Sequence, residues 1–463
     1  MSKSRSSDQP ELPIKLLRGS GGPLHLQLEQ ALRDAIRGGR LRQGSALPST
    51  RTLAADLGVA RGVVVEAYEQ LAAEGFLATR RGAATTVAAG RIETAPLQRA
   101  AVAPTWAFDF KPGVPDLRLF PFTRWSRSAR RVLRGLTPPA LGYGDARGTP
   151  ELRTGLADYL GRVRQVRCDV SQVLVCSGFA QGLGLVAKAL ARHGVRRFGI
   201  EDPTHPDQQH AISAAGLQAV HIPVDEQGLR VDLLEASRAE AVLVTPAHQF
   251  PTGAVLSAAR RQQLAAWATA RGGWIVEDDY DAEYRYDREP IGALQSLAPS
   301  RVIYAGSASK ILAPALRLGW IVAPPPLGDT LAELKRLSDM GTPLIEQLAY
   351  ADFLAGGELD RHLRRMRAVY RARRDAVIDA LAQDFPGWLP HGIAAGLHLL
   401  AWLPARTKEA ALVDAAARRG IRVLPLAGYC TQHRLPPALV LGYAGLNEGE
   451  IRRAFARLAK ANS

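Results

Sequence analysis

The 463-residue sequence holds only three cysteines, Cys168, Cys176 and Cys430. Their number is odd and none sits in a C-x-x-C pair. A disulfide framework and a zinc site are therefore not expected, no metal ligand set is assigned, and the chain fits a reducing cytoplasm. No apolar run approaches the roughly 18 residues that a membrane helix needs, so no membrane partner is expected. Met1 to Lys15 have no apolar core, and a secretory leader is not expected either. Repeats at solenoid spacing are missing. Lysine is scarce: only eight of the 59 basic residues are lysine, so one in an unusual setting stands out.

What is present is ordinary for a globular protein, with 47% hydrophobic and 22% charged residues. That balance excludes a disordered or collagen-like chain, and the length suggests two to four domains. The net charge of +15 points to an anionic partner, nucleic acid first. The surplus is denser at the N-terminus but not confined to it. Residues 1–100 carry 14 basic against 9 acidic side chains, and the rest carry 45 against 35.

A polar tail (1–22) precedes a compact helical region (23–88). Residues 89–107 lack a clear period, hold two prolines and read as a linker. In 23–88, Leu24, Leu28, Ala31, Leu32 and Ala35 have helical spacing. Ser49 or Thr50 can cap a second helix carrying Leu53 and Leu57. Gly58-Val59-Ala60 is a turn, and a third helix runs from about Arg61 to Ala73 until Gly75 stops it. Phe76–Thr79 and Thr85–Ala88 are β-like. Two helices joined by a short turn, then a hairpin, is the winged helix-turn-helix arrangement. Core-filling helices of an accessory domain would show the same periodicity. Arg51, Arg61, Arg80 and Arg81 favour DNA, because they stand where phosphates and base edges meet such a domain.

Leu47-Pro48-Ser49-Thr50-Arg51, Leu57-Gly58-Val59-Ala60-Arg61 and Ala67-Tyr68-Glu69-Gln70-Leu71 through Gly75-Phe76 resemble the GntR-type winged helix. The resemblance implies DNA contacts from Ser49, Arg51, Arg61, Arg81 and Gly82. Ala60, Gly62 and Val63 depart from the polar residues usual there, and Ala84 replaces a second wing glycine. Base readout is expected to be altered.

From about 108 the chain alternates apolar β-branched runs with helical stretches. The runs are Val173–Cys176, Arg197–Ile200, Ala241–Val244, Trp274–Val276, Val302–Ala305 and Trp320–Val322. Such alternation predicts an α/β domain with a mostly parallel sheet covered on both faces, whose ligands bind outside the carboxyl ends of the strands. Ser177-Gly178-Phe179 follows the first run, and Glu201-Asp202-Pro203-Thr204-His205 the second. The third leads to His248-Gln249-Phe250-Pro251-Thr252-Gly253, the fourth to Glu277-Asp278-Asp279-Tyr280, the fifth to Ser307-Ala308-Ser309-Lys310. A lysine condenses with aldehydes, a carboxylate holds a protonated pyridine, and serines, a helix N-terminus and Arg317 hold a phosphate. Together they describe pyridoxal 5′-phosphate (PLP). A lone surface lysine or an Asp-Asp cap would leave the agreement of five strand ends unexplained. Gly182-Leu183-Gly184-Leu185-Val186-Ala187 imitates a dinucleotide fingerprint, but Ser177–Gln181 separate it from the strand, which places Gly182 inside a helix.

These segments, with Tyr143-Gly144-Asp145, resemble a fold-type I PLP-dependent transferase. Behind a GntR-type domain they give the layout of the MocR-type transcriptional regulators, with an aminotransferase-like large domain (108–325) and small domain (326–463). The resemblance implies that Lys310 forms the Schiff base, Asp278 rather than Asp279 pairs with the pyridine nitrogen, and Tyr280 bonds the ring hydroxyl. Ser177, Gly178, Phe179, Ser307, Ser309 and Arg317 surround the phosphate, His205 stacks on the ring, and Tyr143 reaches the phosphate of a homodimeric partner. The arginine that grips an amino acid's carboxylate is replaced by Val440, so ordinary α-amino acids are expected to bind poorly. The function implied is a cytoplasmic regulator of double-stranded promoter DNA that senses PLP or a PLP–amine adduct. The alternative is an active aminotransferase with an accessory DNA-binding domain. A cofactor-free relic is disfavoured by the intact Lys310, Asp278 and Arg317. The arginines from Arg361 to Arg374 are read as a solvated helix face rather than a second DNA contact.

Overall fold

A computed structural model describes residues 14–19, 22–79, 83–88, 105–286 and 291–460. The chain divides into two compact units between Ala103 and Pro104.

The first unit contains α1 (Leu24–Arg37), α2 (Thr50–Leu57), α3 (Arg61–Ala73) and the antiparallel strands β1 (Leu77–Ala78) and β2 (Thr86–Val87). Leu28, Leu32 and Ala35 bury one stripe of α1. The Ser49 hydroxyl accepts from the Thr52 N–H at 3.2 Å and caps α2. Gly58, at φ 62°, ends α2 in the left-handed conformation that spares it a Cβ clash. Val64, Ala67, Tyr68 and Leu71 of α3 close the core against Leu53 and Ala54. The Tyr68 hydroxyl donates to the Pro48 carbonyl at 3.0 Å. All three helices and both strands stand where the sequence places them.

The second unit begins with β3 (Phe108–Asp109), α4 (Phe122–Gly135) and α5 (Pro150–Arg164). Next come β4 (Val173–Cys176), α6 (Phe179–Arg192), β5 (Arg197–Asp202), α7 (Pro206–Ala214), β6 (Gln218–Asp225), β7 (Gly228–Leu229) and α8 (Val231–Ala236). Then follow β8 (Ala241–Val244), α9 (Ala258–Arg271), β9 (Trp274–Asp278), β10 (Val302–Ser307), α10 (Ala308–Ile311) and β11 (Gly319–Val322). The central sheet has the order β4-β11-β10-β9-β8-β5-β6-β7. Its middle, from β10 to β6, is parallel, while β11 runs antiparallel to both its neighbours. β4, β8 and β9 are buried at every position, as a sheet covered on both faces requires. All six expected strands are present. β6 escapes sequence reading because its apolar pattern is broken by Gln218, His221 and Pro223, and it sits towards the sheet edge. Gly182 lies inside α6 and packs on Cys176 and Ile321, a structural use that fits no dinucleotide loop.

The remainder comprises α11 (Pro325–Asp339), α12 (Leu344–Ala355), α13 (Glu358–Asp384), β12 (Leu389–His391), β13 (His398–Trp402) and α14 (Glu409–Ala417). It ends with β14 (Ile421–Arg422), β15 (Leu424–Pro425), β16 (Ala438–Gly442) and α15 (Glu448–Ala459). A smaller antiparallel sheet has the order β12-β13-β16-β15. Around residue 325, Leu327, Leu331 and Leu334 of α11 share a core with Leu183 and Leu190 of α6. β3 pairs with β14, so the start of the large region packs with the C-terminal body. Among the described residues, no helix is long and apolar enough to cross a membrane, and the three cysteines are unpaired.

The arginine run on α13 is only partly a solvated face. Arg373 and Arg374 are buried: Arg373 bonds Asp116 at 2.9 Å and Arg374 donates to the Ile393 carbonyl at 2.8 Å. Arg365 and Arg367 donate to the carbonyls of Leu119 and Glu283. A charged sequence pattern does not reveal that backbone carbonyls await those side chains.

Candidate functional site

The loops after β4, β5, β8, β9 and β10 converge at the carboxyl edge of the sheet, and each carries part of the site. Lys310 is on the short α10, right after β10. Burial pushes its ammonium down from an ordinary lysine, against the opposing pull of Asp278 and Asp281. A Cβ on Gly113, itself at φ 71°, would come within 3.3 Å of Lys310 Nζ. The backbone there passes close over the amine, and no sequence pattern pointed to that glycine.

Asp278 ends β9, buried and oriented so that Lys310 is the neighbour favouring its ionised form. Burial and then the adjacent Asp279 hold its carboxyl well above the usual range. Among the described residues nothing donates a hydrogen bond to it. Asp279 is committed elsewhere: it pairs with the buried Arg164 at 2.7 Å and accepts from the Tyr304 hydroxyl at 2.6 Å. The two neighbouring aspartates thus differ in kind, one structural and one open for a ligand cation. Tyr280 is beside Asp278, and its hydroxyl donates to the His248 carbonyl at 2.9 Å.

An anion cradle lies across the strand ends. α6 starts at Gly178 (φ 82°) with no side-chain cap, leaving the first-turn N–H groups and the positive dipole end open. Arg317 turns towards them, donating to the Ser177 carbonyl at 2.6 Å, and a Cβ on Gly178 would meet its guanidinium at 3.1 Å. Arg317 has φ 49°, a left-handed conformation that costs a non-glycine residue about 1 kcal/mol or more. The backbone strain aims the one guanidinium at the helix end. Ser307 and Ser309 bond each other at 2.8 Å, and Ser307 also caps α10 through the Ser309 N–H. Ser177, Gly178, Phe179 and Arg317 thus meet at the start of α6, and Ser307 pairs across the sheet with Gly319, whose Cα lies against Gly178.

His205 caps α7 with its ring 6.0 Å from Phe250 and 6.4 Å from Tyr429. It flanks the site, half-open to solvent. Tyr143 does not join it: the side chain is 89% exposed and makes no hydrogen bond or ring contact among the described residues. A network that sequence reasoning missed lies behind Tyr280. His248 Nδ1 is 2.9 Å from Asp281 and 3.2 Å from the Tyr280 hydroxyl, and the His398 ring lies 4.8 Å from that of His248, tilted by 47°. His248 and Asp281 lay in recognisable segments, whereas His398 is a lone histidine in the apolar strand β13. Val440 sits fully buried in β16, in an apolar cluster with Leu400, Leu426 and Ala438.

In the first unit, Ser49, Arg51 and Arg61 are exposed around the start of α2 and α3, and Arg61 donates to the Thr50 hydroxyl at 3.3 Å. α3 has no side-chain cap at Ala60. The wing residues Arg81 and Gly82 lie outside the described residues.

The donor set fits PLP. A buried lysine amine, an unpartnered buried carboxylate, a phenol and an uncapped helix end with an arginine match its aldehyde, pyridine nitrogen, hydroxyl and phosphate. The comparisons agree. The family described as aminotransferase class I and II matches residues 111–458, and the bacterial regulatory proteins of the gntR family match residues 24–87. The chain is 33% identical to the HTH-type pyridoxine biosynthesis transcriptional regulator PdxR of Corynebacterium glutamicum, covering 98% of this chain and 99% of that one. It is also 33% identical to the probable rhizopine catabolism regulatory protein MocR of Rhizobium meliloti, over 97% and 95%. Among solved structures, it resembles a kynurenine aminotransferase of Pyrococcus horikoshii with a TM-score of 0.70 and 26% identity, over 78% of this chain and 91% of that one.

Proposed function

The chain belongs to the MocR-type HTH transcriptional regulators, which join a gntR-family domain to an aminotransferase class I and II domain that takes PLP, and from that premise we propose that its second unit is a sensor. It reports PLP itself, or PLP joined to a small amine, to promoter DNA in the cytoplasm. One contrast carries the reading. The groups that would hold the cofactor gather at the strand ends around Lys310, while the position expected to anchor an amino acid's carboxylate is the buried Val440. Capture chemistry is kept without the anchor that sustained transamination of amino acids needs.

When bound, PLP supplies an aldehyde for primary amines and an electron-withdrawing ring. The protein's part is positional and electrostatic. Burial keeps the Lys310 amine in reach of its neutral, nucleophilic form. With the cofactor in place, Asp278 would hold a proton on the ring nitrogen and Tyr280 would bond the ring hydroxyl. Arg317, Ser177, Ser309 and the first-turn N–H groups of α6 would hold the phosphate. The chain acts as a homodimer: Phe122, Leu133 and Leu141 leave large apolar side chains exposed along and after α4, beside Tyr143. Tyr143 then serves the partner's phosphate, and Ser49, Arg51, Arg61, Arg81 and Gly82 meet paired half-sites.

A mobility-shift titration of the gene's own upstream DNA, with cofactor-free and PLP-loaded protein side by side, tests this. A change in affinity or stoichiometry on loading, or on adding an amine to the loaded protein, is expected. Steady multiple-turnover transamination with no effect on DNA binding would establish the aminotransferase reading instead.

A further inference from the structure

We propose that the amine accepted by this site is a hydrophobic one without a carboxylate, an arylalkyl or alkyl primary amine lying against Phe250, Tyr429 and His205. This rests on the sensor reading and narrows it. Phe250 is half-buried at the centre of an aromatic group. Its ring is 5.2 Å from Tyr429, 5.2 Å from His398, 6.0 Å from His205 and 6.4 Å from Tyr280. Tyr280 stands next to Asp278, so this group is the wall of the cofactor cavity away from the phosphate. Behind Tyr429 lies the buried apolar cluster of Leu400, Leu426, Ala438 and Val440, with Cys430 and Leu435 packed on it, so the wall is backed by hydrocarbon. Hydrocarbon and aromatic faces reward an apolar body and offer a carboxylate nothing.

The charges nearby do not change this. Burial pushes the His398 imidazole well below its usual range, and His205 is lowered for the same first reason. Both are therefore poor cations at neutral pH. Lys111 is within electrostatic reach of Lys310 and His205, and Arg434 of Cys430, but both are exposed, where water screens their charge.

The wall is also held in place. The Asp202 carboxylate, at the end of β5, accepts the backbone N–H groups of Thr431, Gln432 and His433 at 2.9, 2.7 and 2.8 Å. The Thr204 N–H donates to the Tyr429 carbonyl at 3.0 Å. An effector thus meets a preformed surface, which lowers the ordering cost of binding. In the exchange, the effector's nitrogen forms its bond to the cofactor's aldehyde carbon as the bond to Lys310 Nζ breaks. Two hydrogens pass from the incoming nitrogen to the lysine, so no oxidant or reductant is needed.

Two matched pairs test the class: 2-phenylethylamine against L-phenylalanine, and n-butylamine against γ-aminobutyrate. In the first pair a carboxylate stands in place of a hydrogen, and in the second in place of a methyl group. Full-length PLP-loaded protein is titrated, reading the absorbance of the Lys310-bound cofactor and, in parallel, the DNA mobility shift. The amine of each pair is expected to half-saturate at a concentration lower by on the order of 100-fold, the cost of leaving a charged group without a partner. Tyr429→Ala, checked by thermal melting to be folded, should weaken 2-phenylethylamine about tenfold, the loss of one aromatic contact. Equal or tighter binding of either acid overturns the proposal. So does a loaded protein whose DNA binding answers to PLP while no amine exchanges, although the sensor reading then stands. Failure to acquire the chromophore at all would remove the sensor reading itself.

Discussion

The two ends of the cavity are built on opposite principles. At the phosphate end, every feature is polar and directional: the uncapped start of α6, the strained Arg317, the paired Ser307 and Ser309. At the other end the surface is aromatic, formed by His205, Phe250 and Tyr429 and backed by the buried cluster around Val440, and these residues carry no fixed charge between them at neutral pH. The difference separates what must be constant from what can vary. A phosphate and a pyridine nitrogen demand particular charges at particular distances. An effector's body demands only a shape and a polarity, and these can drift while the cofactor stays.

The strongest way to sharpen that contrast is to remove one residue from each end. Lys310→Ala is expected to abolish the visible cofactor chromophore entirely, measured by absorbance after reconstitution and desalting. Val440→Ala, in the buried cluster behind Tyr429, should leave that chromophore in place. If Lys310→Ala kept the chromophore, another amine would be the attachment point. The same lysine gives a pH test. Burial disfavours its charged form, so the neutral amine appears at lower pH than for an exposed lysine. The rate of cofactor uptake by the apo-protein should therefore rise with pH and level off below the ordinary lysine range near 10.4. A plateau at or above that value would show an unperturbed amine.

The next largest effect separates the twin aspartates. Asp279→Ala leaves the buried Arg164 without its ion pair, which typically costs about 3–5 kcal/mol. Thermal or urea melting should show a large loss of stability. Asp278→Asn removes a carboxylate that accepts no hydrogen bond from the described residues. It should melt nearly as the parent does, yet retain PLP poorly on dialysis. The reverse pattern would exchange the two assignments.

That pair also shows how far the sequence was legible. Glu277-Asp278-Asp279-Tyr280 announced a carboxylate at a strand end, and the family resemblance favoured Asp278 over Asp279. Only the fold shows why: Arg164, more than a hundred positions upstream, has claimed Asp279. Lys310, Arg317 and the start of α6 were readable because phosphate and Schiff-base chemistry leave few choices of residue. Gly113 and the His248–Asp281–His398 network were not, since their meaning lies in contacts between distant segments. The strands followed the same logic. β4 and β8 are continuous apolar runs and matched at both ends. β6 mixes polar residues and a proline at the sheet edge and left no pattern.

At the phosphate end, Arg317→Ala should weaken PLP retention about 10- to 100-fold, since hydrogen bonds to charged groups contribute roughly 1.5–3 kcal/mol. Equilibrium dialysis against free PLP measures it. The left-handed backbone at this position strains any residue with a Cβ equally, while glycine escapes it. Arg317→Gly should therefore fold slightly more stably than Arg317→Ala, with the same defect in retention. A variant of either kind that binds PLP normally would mean that the helix end and serines suffice.

The smallest expected effect sits at the join between the ends. Asp202 offers two carboxylate oxygens to three backbone N–H groups, Oδ1 to Thr431 and Oδ2 to Gln432 and His433. Asparagine keeps the shape but turns one acceptor into an N–H₂ group facing a donor. One or two hydrogen bonds are lost and one repulsive contact appears, a change of about 1–2 kcal/mol in how firmly that loop is held. Tyr429 lies immediately before it, while the phosphate cradle shares none of these bonds. Asp202→Asn should accordingly leave PLP affinity unchanged and weaken 2-phenylethylamine about three- to tenfold, as a preformed wall becomes one that must be ordered on binding. If PLP affinity fell in step with the amine, the two ends would be mechanically one site, and the division between a fixed half and a variable half would fail.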